Sequence, residues 1–251
     1  MTTTNTTTDI KSTITLERPT YPLGVPFKFS PDGLVQRYPG NTTLCHIPLD
    51  SPLISGLRTI YNRLGSHATL SRLLRLLPPE SWHMTVLDCV CEIQCEPEMW
   101  PTGMKQRPIH EWTSEFSKSL RHVGNELDKA GLAPPYRMRI RGFDAGVIGI
   151  GLEVEGVSVE EEKRMRRLRD KLADAIGFRA PRHETYTFHI SIAYLLRHID
   201  DEDRNELDRV LAEILPKVKM DFDLGAVEFC TFENMCAYPR VFYLGGEEGQ
   251  S

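Results

Sequence analysis

Two short stretches of the sequence each set a histidine and a hydroxyl residue among apolar residues. They are Trp82-His83-Met84-Thr85-Val86 and Phe188-His189-Ile190-Ser191-Ile192. Because side chains alternate between the two faces of an extended strand, the histidine and the hydroxyl of each stretch would share one face. Each stretch therefore predicts a strand with one buried apolar side and one side that could do chemistry.

The same histidine-x-hydroxyl pattern also occurs at His67-Ala68-Thr69 and His183-Glu184-Thr185, so the tripeptide alone is weak evidence. His67 lies in a leucine-rich stretch that we expect to be helical, where residues i and i+2 do not share a face. His183 has no apolar residue before it and follows a proline. We therefore favour His83 and His189 as the functional pair.

The two favoured histidines occupy matching places in an internal repeat. The order strand, helix, histidine strand, helix, strand occurs twice, and Leu44 and Ile150 are separated by the same number of residues as His83 and His189. We predict a disordered tail over 1–25 and a single domain over 26–251, with repeat halves at about 42–142 and 147–245. The expected fold class is α+β, with two pseudo-symmetric lobes around a central cleft, each an antiparallel sheet with helices packed outside.

The remaining elements follow from apolar periodicity and turn residues. We expect strands over 43–49, 136–142, 147–154, 222–229 and 241–244, and helices over 53–64, 70–77, 112–127, 159–176 and 207–214. The basic residues between Lys163 and Arg169 follow three glutamates and are predicted to form a solvated helix face with ion pairs.

The composition of the chain limits the kinds of partner that it can bind. The net charge of −5 argues against binding to long nucleic acid, although small anionic ligands remain possible. No apolar run approaches the roughly 20 residues that span a bilayer, so we expect no membrane partner. We also expect a cytoplasmic location and a monomer. The six cysteines favour free thiols, and the spacing of Cys89, Cys91 and Cys95 is not a standard zinc pattern.

Two imidazoles and two hydroxyls, with no carboxylate in either motif, suit acid–base chemistry on an anion. The ordinary histidine pKa of about 6.5 allows one neutral and one protonated ring near neutrality. In hydrolysis of a cyclic phosphodiester, a base takes a proton from water while an acid protonates the departing ribose oxygen on the other side of phosphorus. The hydroxyls could donate to the non-bridging oxygens, and the scheme requires no metal.

At this point the chain resembles the two-histidine (2H) phosphoesterases, the superfamily that includes the RNA 2′,3′-cyclic phosphodiesterases. The paired signature matches 83–86 and 189–192. The segments 40–42 and 232–235 resemble an uncharacterised branch, for which membership implies no substrate. The resemblance implies two antiparallel-sheet lobes, no cofactor, and four catalytic residues, which are His83, Thr85, His189 and Ser191. By family analogy, His189 is the base for water and His83 is the acid.

Candidate substrate-binding residues lie outside the motifs. Arginines alternate with apolar residues over 136–142, and this row could bind phosphate or form a solvated outer face. The loop over 96–108 extends the first half only and is predicted to border the cleft. Its tryptophan could stack on a base or anchor the loop to the core. The candidates are Arg139, Arg141, Thr187 and Trp100.

Three functions remain open. The first is a metal-independent hydrolase of cyclic or 2′-linked phosphodiesters in small nucleotides or RNA ends. The second is an enzyme that uses the histidine pair for proton transfer on a non-phosphate small molecule, and nothing in the sequence excludes it. The third is a non-catalytic nucleotide- or RNA-binding module, against which the intact histidines and hydroxyls of both motifs count.

Overall fold

The computed structural model describes residues 19–95, 104–180 and 182–245. Nine strands of these residues join one antiparallel sheet, and four helices accompany it. The strands are β1 Gly40–His46, β2 Leu74–Leu76, β3 His83–Cys91, β4 Tyr136–Asp144, β5 Gly149–Gly156, β6 Phe188–Leu195, β7 Asp221–Leu224, β8 Glu228–Phe232 and β9 Arg240–Tyr243. The helices are α1 Leu53–Gly65, α2 Ile109–Gly124, α3 Val159–Ile176 and α4 Asp201–Val218.

The two histidine strands lie next to each other in the middle of the sheet. The strand order is β7-β4-β5-β6-β3-β1-β8-β9, with β2 paired to β6. The predicted α+β class and its antiparallel pairing are therefore confirmed. Strands of the two predicted halves interleave in one sheet, because β4 pairs with β5 and β7 while β8 pairs with β1. The pseudo-symmetry of two lobes stays a prediction.

The helices bury the apolar side of the sheet. Met84, Val86, Ile190 and Ile192 are fully buried in a core to which all four helices contribute. The apolar residues of both histidine motifs thus fix their strands against the helical layer, which leaves the alternate side chains on the opposite face.

Helix α3 begins and ends as its sequence predicts. The Ser158 hydroxyl accepts a hydrogen bond from the Glu161 backbone N–H, and Gly177 ends the helix at a φ of +81°. This left-handed conformation favours glycine. The helix is the element that brings Arg169 beneath the histidine strands, as described below.

A smaller apolar cluster lies apart from the main core. It joins Phe29 and Tyr38 to Leu196, Phe232 and Met235. Residues 19–25, which the sequence assigned to a disordered tail, belong to the fold, because their last residue is buried and its N–H donates to a backbone carbonyl at 22. The rest of the predicted tail, 1–18, lies outside the described residues.

Two predicted elements were wrong. Residues 70–77 are not one helix, because a 3-10 turn over Leu70–Arg72 leads into β2, which runs along the part of β6 that β3 leaves unpaired. The predicted strand over 222–229 is two strands, β7 and β8, at opposite sides of the sheet. Both segments are short apolar runs whose periodicity does not determine their structure, and the pairing partners available in the sheet determine which of their residues form strands. Among the described residues no helix combines the length and apolarity needed to cross a membrane.

Candidate active site

The register between β3 and β6 brings the two motifs together. Met84 lies opposite Ile190 in an antiparallel pair, and both side chains point into the core. The flanking residues therefore point to the other face, with His83 beside Ser191 and Thr85 beside His189. His83 and His189 are diagonal neighbours in this strand pair, a relation that sets residues roughly 7–8 Å apart. The four predicted catalytic residues thus share one face at the centre of the sheet.

Both histidine rings are held by the same type of contact. Nδ1 of His83 lies 2.6 Å from the carbonyl oxygen of Ser81, and Nδ1 of His189 lies 3.0 Å from that of Thr187. A carbonyl can only accept, so each Nδ1 carries the hydrogen and each Nε2 is left as the reacting nitrogen. Within the described residues, no protein group hydrogen-bonds to either Nε2. Thr187 contributes its main chain to the site.

The two histidines that we set aside are structural. Nε2 of His67 lies 2.8 Å from Glu206, and its Nδ1 accepts the backbone N–H of Leu70. The Nε2 atom of His183 lies 2.8 Å from Asp170, and the ring is buried. In both residues the ring nitrogen that a substrate would need is already bonded to a carboxylate.

The surroundings of His83 favour a neutral ring. The pKa of the half-buried His83 ring is lowered to about 3, mainly by desolvation and also by positive charge on His46 or His189, against the opposing effects of the Ser81 carbonyl and Glu228. The effect of His189 also reflects how close the two motif histidines lie. A neutral imidazole is equipped to accept a proton, so the lowered pKa suits His83 to the role of base, which family analogy gave to His189. Both assignments of the roles stay predictions.

A third histidine, which sequence reasoning missed, lies beside His83. His46 is directly opposite His83 in the pairing of β1 with β3, and the two rings meet edge to face with centroids 6.2 Å apart. Nδ1 of His46 lies 3.0 Å from Oε2 of the buried Glu228, and Nη1 of Arg240 lies 3.3 Å from the same oxygen. Burial alone would raise the pKa of Glu228, but the His46 bond and the Arg240 charge hold it below its ordinary value.

Only one sign of this group is visible in the sequence. Glu228 stands in an otherwise apolar strand, and a buried carboxylate needs a charged partner. Nothing local marks His46, since its position depends on the register between β1 and β3.

A buried arginine lies beneath the second motif. The Arg169 guanidinium lies 3.8 Å from the ring centroid of Tyr186 and donates from Nη1 to the Val86 carbonyl at 2.6 Å. Its Nε and Nη2 have no partner in the described part of the chain. The Tyr186 ring is 5.8 Å from that of His189, and its phenol faces Thr85 without a well-aligned hydrogen bond. A fixed positive charge thus underlies the face where an anion would bind.

Arg169 corrects the prediction of a uniformly solvated basic face on α3. Arg164 and Arg166 do pair with Glu161 and Glu162, as the i,i+3 and i,i+4 spacing predicts. Arg169 instead points to the core side and is only 1% exposed.

The arginine row of β4 is engaged by acids. Arg139 binds both carboxylate oxygens of Asp221, at 2.7 and 3.2 Å. Arg141 lies 3.7 Å from Glu153, which is opposite His189 in the pairing of β5 with β6. Arg141 is therefore two strands away from His189 in the register. Substrate binding by either arginine stays a prediction.

The predicted cleft loop is only partly described. Trp100 and the rest of 96–103 lie outside the described residues. At the other end of the loop, Arg107 stacks on Trp112 at 3.6 Å and pairs with Glu115. This part lines a pocket of about 470 Å³ with Cys91, at the end of β3 away from His83. The role of the loop as a border of the cleft stays a prediction.

A larger pocket, of about 850 Å³, adjoins the histidine face. Its lining includes His46, Glu228, Arg240 and Tyr243, but neither His83 nor His189. His46 is therefore the lining residue that places the pocket next to a motif histidine, His83.

Among the residues that the structure describes, two groups of side chains have metal-ligand spacing. The ligand atoms of His46, Glu228 and Cys230 lie within 4.8 Å of one another, as do those of Asp170, His183 and Glu184. In the first group the Arg240 guanidinium already neutralises the carboxylate, and burial raises the pKa of the Cys230 thiol. Both features oppose a cation. All six cysteines are free.

Comparison with known proteins bears on the family. Residues 28–148 match the family described as 2H-phosphodiest, a domain of unknown function (DUF1868). The matched segment runs from before β1 to the turn after β4, so it contains His83 but not His189. A search of curated protein sequences gave no match.

Solved structures include similar folds. The conserved protein of unknown function ATU0111 from Agrobacterium tumefaciens is 25% identical, with a TM-score of 0.74 over 89% of this chain and 93% of that chain. TT0787 of Thermus thermophilus is 14% identical, with a TM-score of 0.48 over 85% and 100%. With the family match, the resemblance of this chain to the two-histidine phosphoesterase superfamily is confirmed.

Proposed function

We propose that this two-histidine phosphoesterase-like chain hydrolyses cyclic or 2′-linked phosphodiesters in small nucleotides or RNA ends, without a metal ion. The name of the matched family suggests phosphoesterase activity without specifying a substrate. The net charge of −5 favours a small anionic substrate over long nucleic acid.

One observation carries the proposal. Both histidines present Nε2 from adjacent strands on one face, and each ring is fixed through Nδ1 to the carbonyl two residues earlier. A general base and a general acid on opposite sides of phosphorus need two such rings, each held in one tautomer. The arrangement has no carboxylate bonded to either ring, which sets it apart from the serine, histidine and aspartate triads of acyl transfer.

The proposed reaction uses His83 as the base. Its neutral Nε2 takes a proton from water, and the water oxygen attacks phosphorus. The bond from phosphorus to the departing ester oxygen breaks, and that oxygen takes a proton from Nε2 of His189, which enters the step as the imidazolium and leaves it neutral. The proton that His83 has taken from water returns the pair to its starting charge after transfer through solvent. The hydroxyls of Thr85 and Ser191 donate to the non-bridging oxygens, and the Arg169 charge beneath Tyr186 favours the anion.

Binding of the substrate would also raise the pKa of the base, His83. A phosphodiester anion beside His83 favours protonation of the ring, which raises its pKa from the value of about 3 towards neutrality. The ring can then take a proton in the complex although it is a weak base in the free protein.

A substrate screen tests the proposal. 2′,3′-cyclic nucleotides, 3′,5′-cyclic nucleotides and 2′-5′ dinucleotides are incubated with the protein in the presence of a chelator. We expect turnover of at least one class, reduced on the order of 10²- to 10⁴-fold by His83→Ala or by His189→Ala.

The control is His122→Ala, whose side chain is 80% exposed and far from either motif in sequence. It should keep the wild-type rate. Folded His83→Ala and His189→Ala proteins that keep the wild-type rate would refute the proposal, as would activity that the chelator abolishes.

A further inference from the structure

The pocket of about 850 Å³ beside His46 has no role in the proposed reaction. His46 lines this pocket and lies opposite His83, with the two rings 6.2 Å apart. A ligand whose phosphodiester lies at His83 would therefore reach the pocket by extending past His46. The pocket volume falls within the range of ordinary small-molecule sites.

The inner end of the pocket is a pre-organised network. Oε2 of the buried Glu228 accepts from His46 at 3.0 Å and from Arg240 at 3.3 Å, and Oε1 lies 3.4 Å from the His46 backbone nitrogen. Arg240 also donates to the Tyr243 hydroxyl at 2.5 Å and stacks on its ring at 4.0 Å. The carboxylate is thus occupied by residues of the fold and holds the His46 and Arg240 side chains in place.

The groups left for a ligand are mostly donors. The remaining guanidinium nitrogens of Arg240 and the Tyr243 hydroxyl, which keeps its own hydrogen, are not bonded to Glu228 and can donate. Asn125 adds an amide to the lining, and the other carboxylate of the lining, Asp128, is exposed. Donors grouped around an arginine are suited to an oxyanion, because guanidinium binds phosphate oxygens in a fork.

We propose that this pocket binds a second anionic group of the substrate, a phosphate monoester carried on the same molecule as the phosphodiester that His83 and His189 cleave. The inference rests on the proposed function for the position of the phosphodiester. It adds a substrate class, which is a nucleotide that bears a cyclic or 2′-linked diester and a separate terminal phosphate.

A matched pair of substrates tests the inference. Adenosine 2′,3′-cyclic phosphate is compared with the same nucleotide carrying a 5′-phosphate, by measuring kcat/KM for each. We expect the 5′-phosphate to raise kcat/KM on the order of 10-fold in the wild type, as for one charge-assisted contact. Arg240→Met should abolish the preference, and Arg240→Lys should keep part of it.

The control is Arg63→Met, a surface residue paired with Glu213, which should leave the preference unchanged. If Arg240→Met fails to fold, Tyr243→Phe and Asn125→Ala are used, and each should reduce the preference. A wild type with equal kcat/KM for the two substrates overturns the inference and leaves the proposed function standing.

A binding measurement separates the two proposals. Adenosine 5′-monophosphate is titrated into the wild type, Arg240→Met and Arg63→Met by calorimetry, with no turnover required. Binding that Arg240→Met weakens and Arg63→Met does not supports the pocket assignment even if no cyclic substrate is hydrolysed. Equal binding to all three proteins, or none, overturns it.

Discussion

Replacement of the buried Arg169 by methionine should change the stability of the fold little. The substitution removes a charged hydrogen bond to the Val86 carbonyl, worth about 1.5–3 kcal/mol, and the contact with Tyr186, worth about 2 kcal/mol. It also removes two buried guanidinium nitrogens that have no partner in the described residues, at about 1–3 kcal/mol each. The middle values of these opposing contributions nearly cancel, and the net change lies within about 3 kcal/mol of zero.

The matched control is Arg164→Met on the same helix. Arg164 is more exposed, with 20% of its side chain accessible, yet it bonds Glu161 and the backbone carbonyls of Ala133 and Pro135. Its loss leaves Glu161, 11% exposed, without its cation, so we expect a cost of about 3 kcal/mol. Burial alone would predict the opposite order of the two variants.

Urea unfolding followed by circular dichroism gives both free energies. A larger loss in Arg169→Met than in Arg164→Met would refute this reasoning, because it would mean that the buried guanidinium stabilises the fold. Turnover supplies the second measurement. Arg169→Met should slow the best substrate on the order of 10-fold while folding is kept, because the charge beneath Tyr186 is lost.

Three further predictions concern the sheet and its motifs. The pKa of His83 is about 6.5 in an unfolded chain and about 3 in the fold, so the neutral ring stabilises the fold above about pH 6.5 and this contribution is lost as the pH falls towards about 3. The difference in unfolding free energy between wild type and His83→Gln should therefore decrease by a few kcal/mol from pH 7 to pH 4 in urea titrations. An unchanged difference would contradict the lowered pKa. Thr85→Val and Ser191→Ala should each slow turnover about 10- to 100-fold without abolishing it, and a trapped phosphoserine or phosphothreonine would show instead that a hydroxyl is the nucleophile. A Cβ at Gly149 would lie 2.2 Å from the Ala193 carbonyl oxygen, so Gly149→Ala should lower the free energy of unfolding by about 2–4 kcal/mol in thermal unfolding. The control is Gly225→Ala, whose Cβ would meet nothing within 4 Å and which should cost almost nothing. Equal melting temperatures for the two variants would refute the close approach at Gly149.

The sequence was sufficient for those parts of the site that depend on local pattern. Strand alternation placed the histidine and hydroxyl of each motif on one face, and the structure pairs the two strands at Met84 and Ile190. The serine at 158 that caps the first turn of α3 and the glycine at 177 that ends the helix are equally local signals, and the structure shows both.

Other features depend on contacts between distant segments. His46 is significant only because β1 pairs with β3 in the register that sets it opposite His83. Arg169 lies in a run of basic residues whose neighbours are solvated, so composition alone could not distinguish it. β2 forms where β6 extends beyond β3, a property of the sheet edge that the sequence of 70–77 does not carry.

The roles of the two histidines are tested most directly by changing the leaving group. A nucleoside 4-nitrophenyl phosphodiester needs no proton on its leaving oxygen, whereas the ribose oxygen of a 2′-5′ dinucleotide does. With His83 as base and His189 as acid, His83→Ala should slow both substrates by a similar factor, while His189→Ala should slow the dinucleotide at least about 10-fold more than the nitrophenyl ester. Equal losses for the two substrates in His189→Ala, or a wild-type rate on the dinucleotide in either folded variant, would contradict acid–base catalysis by this pair.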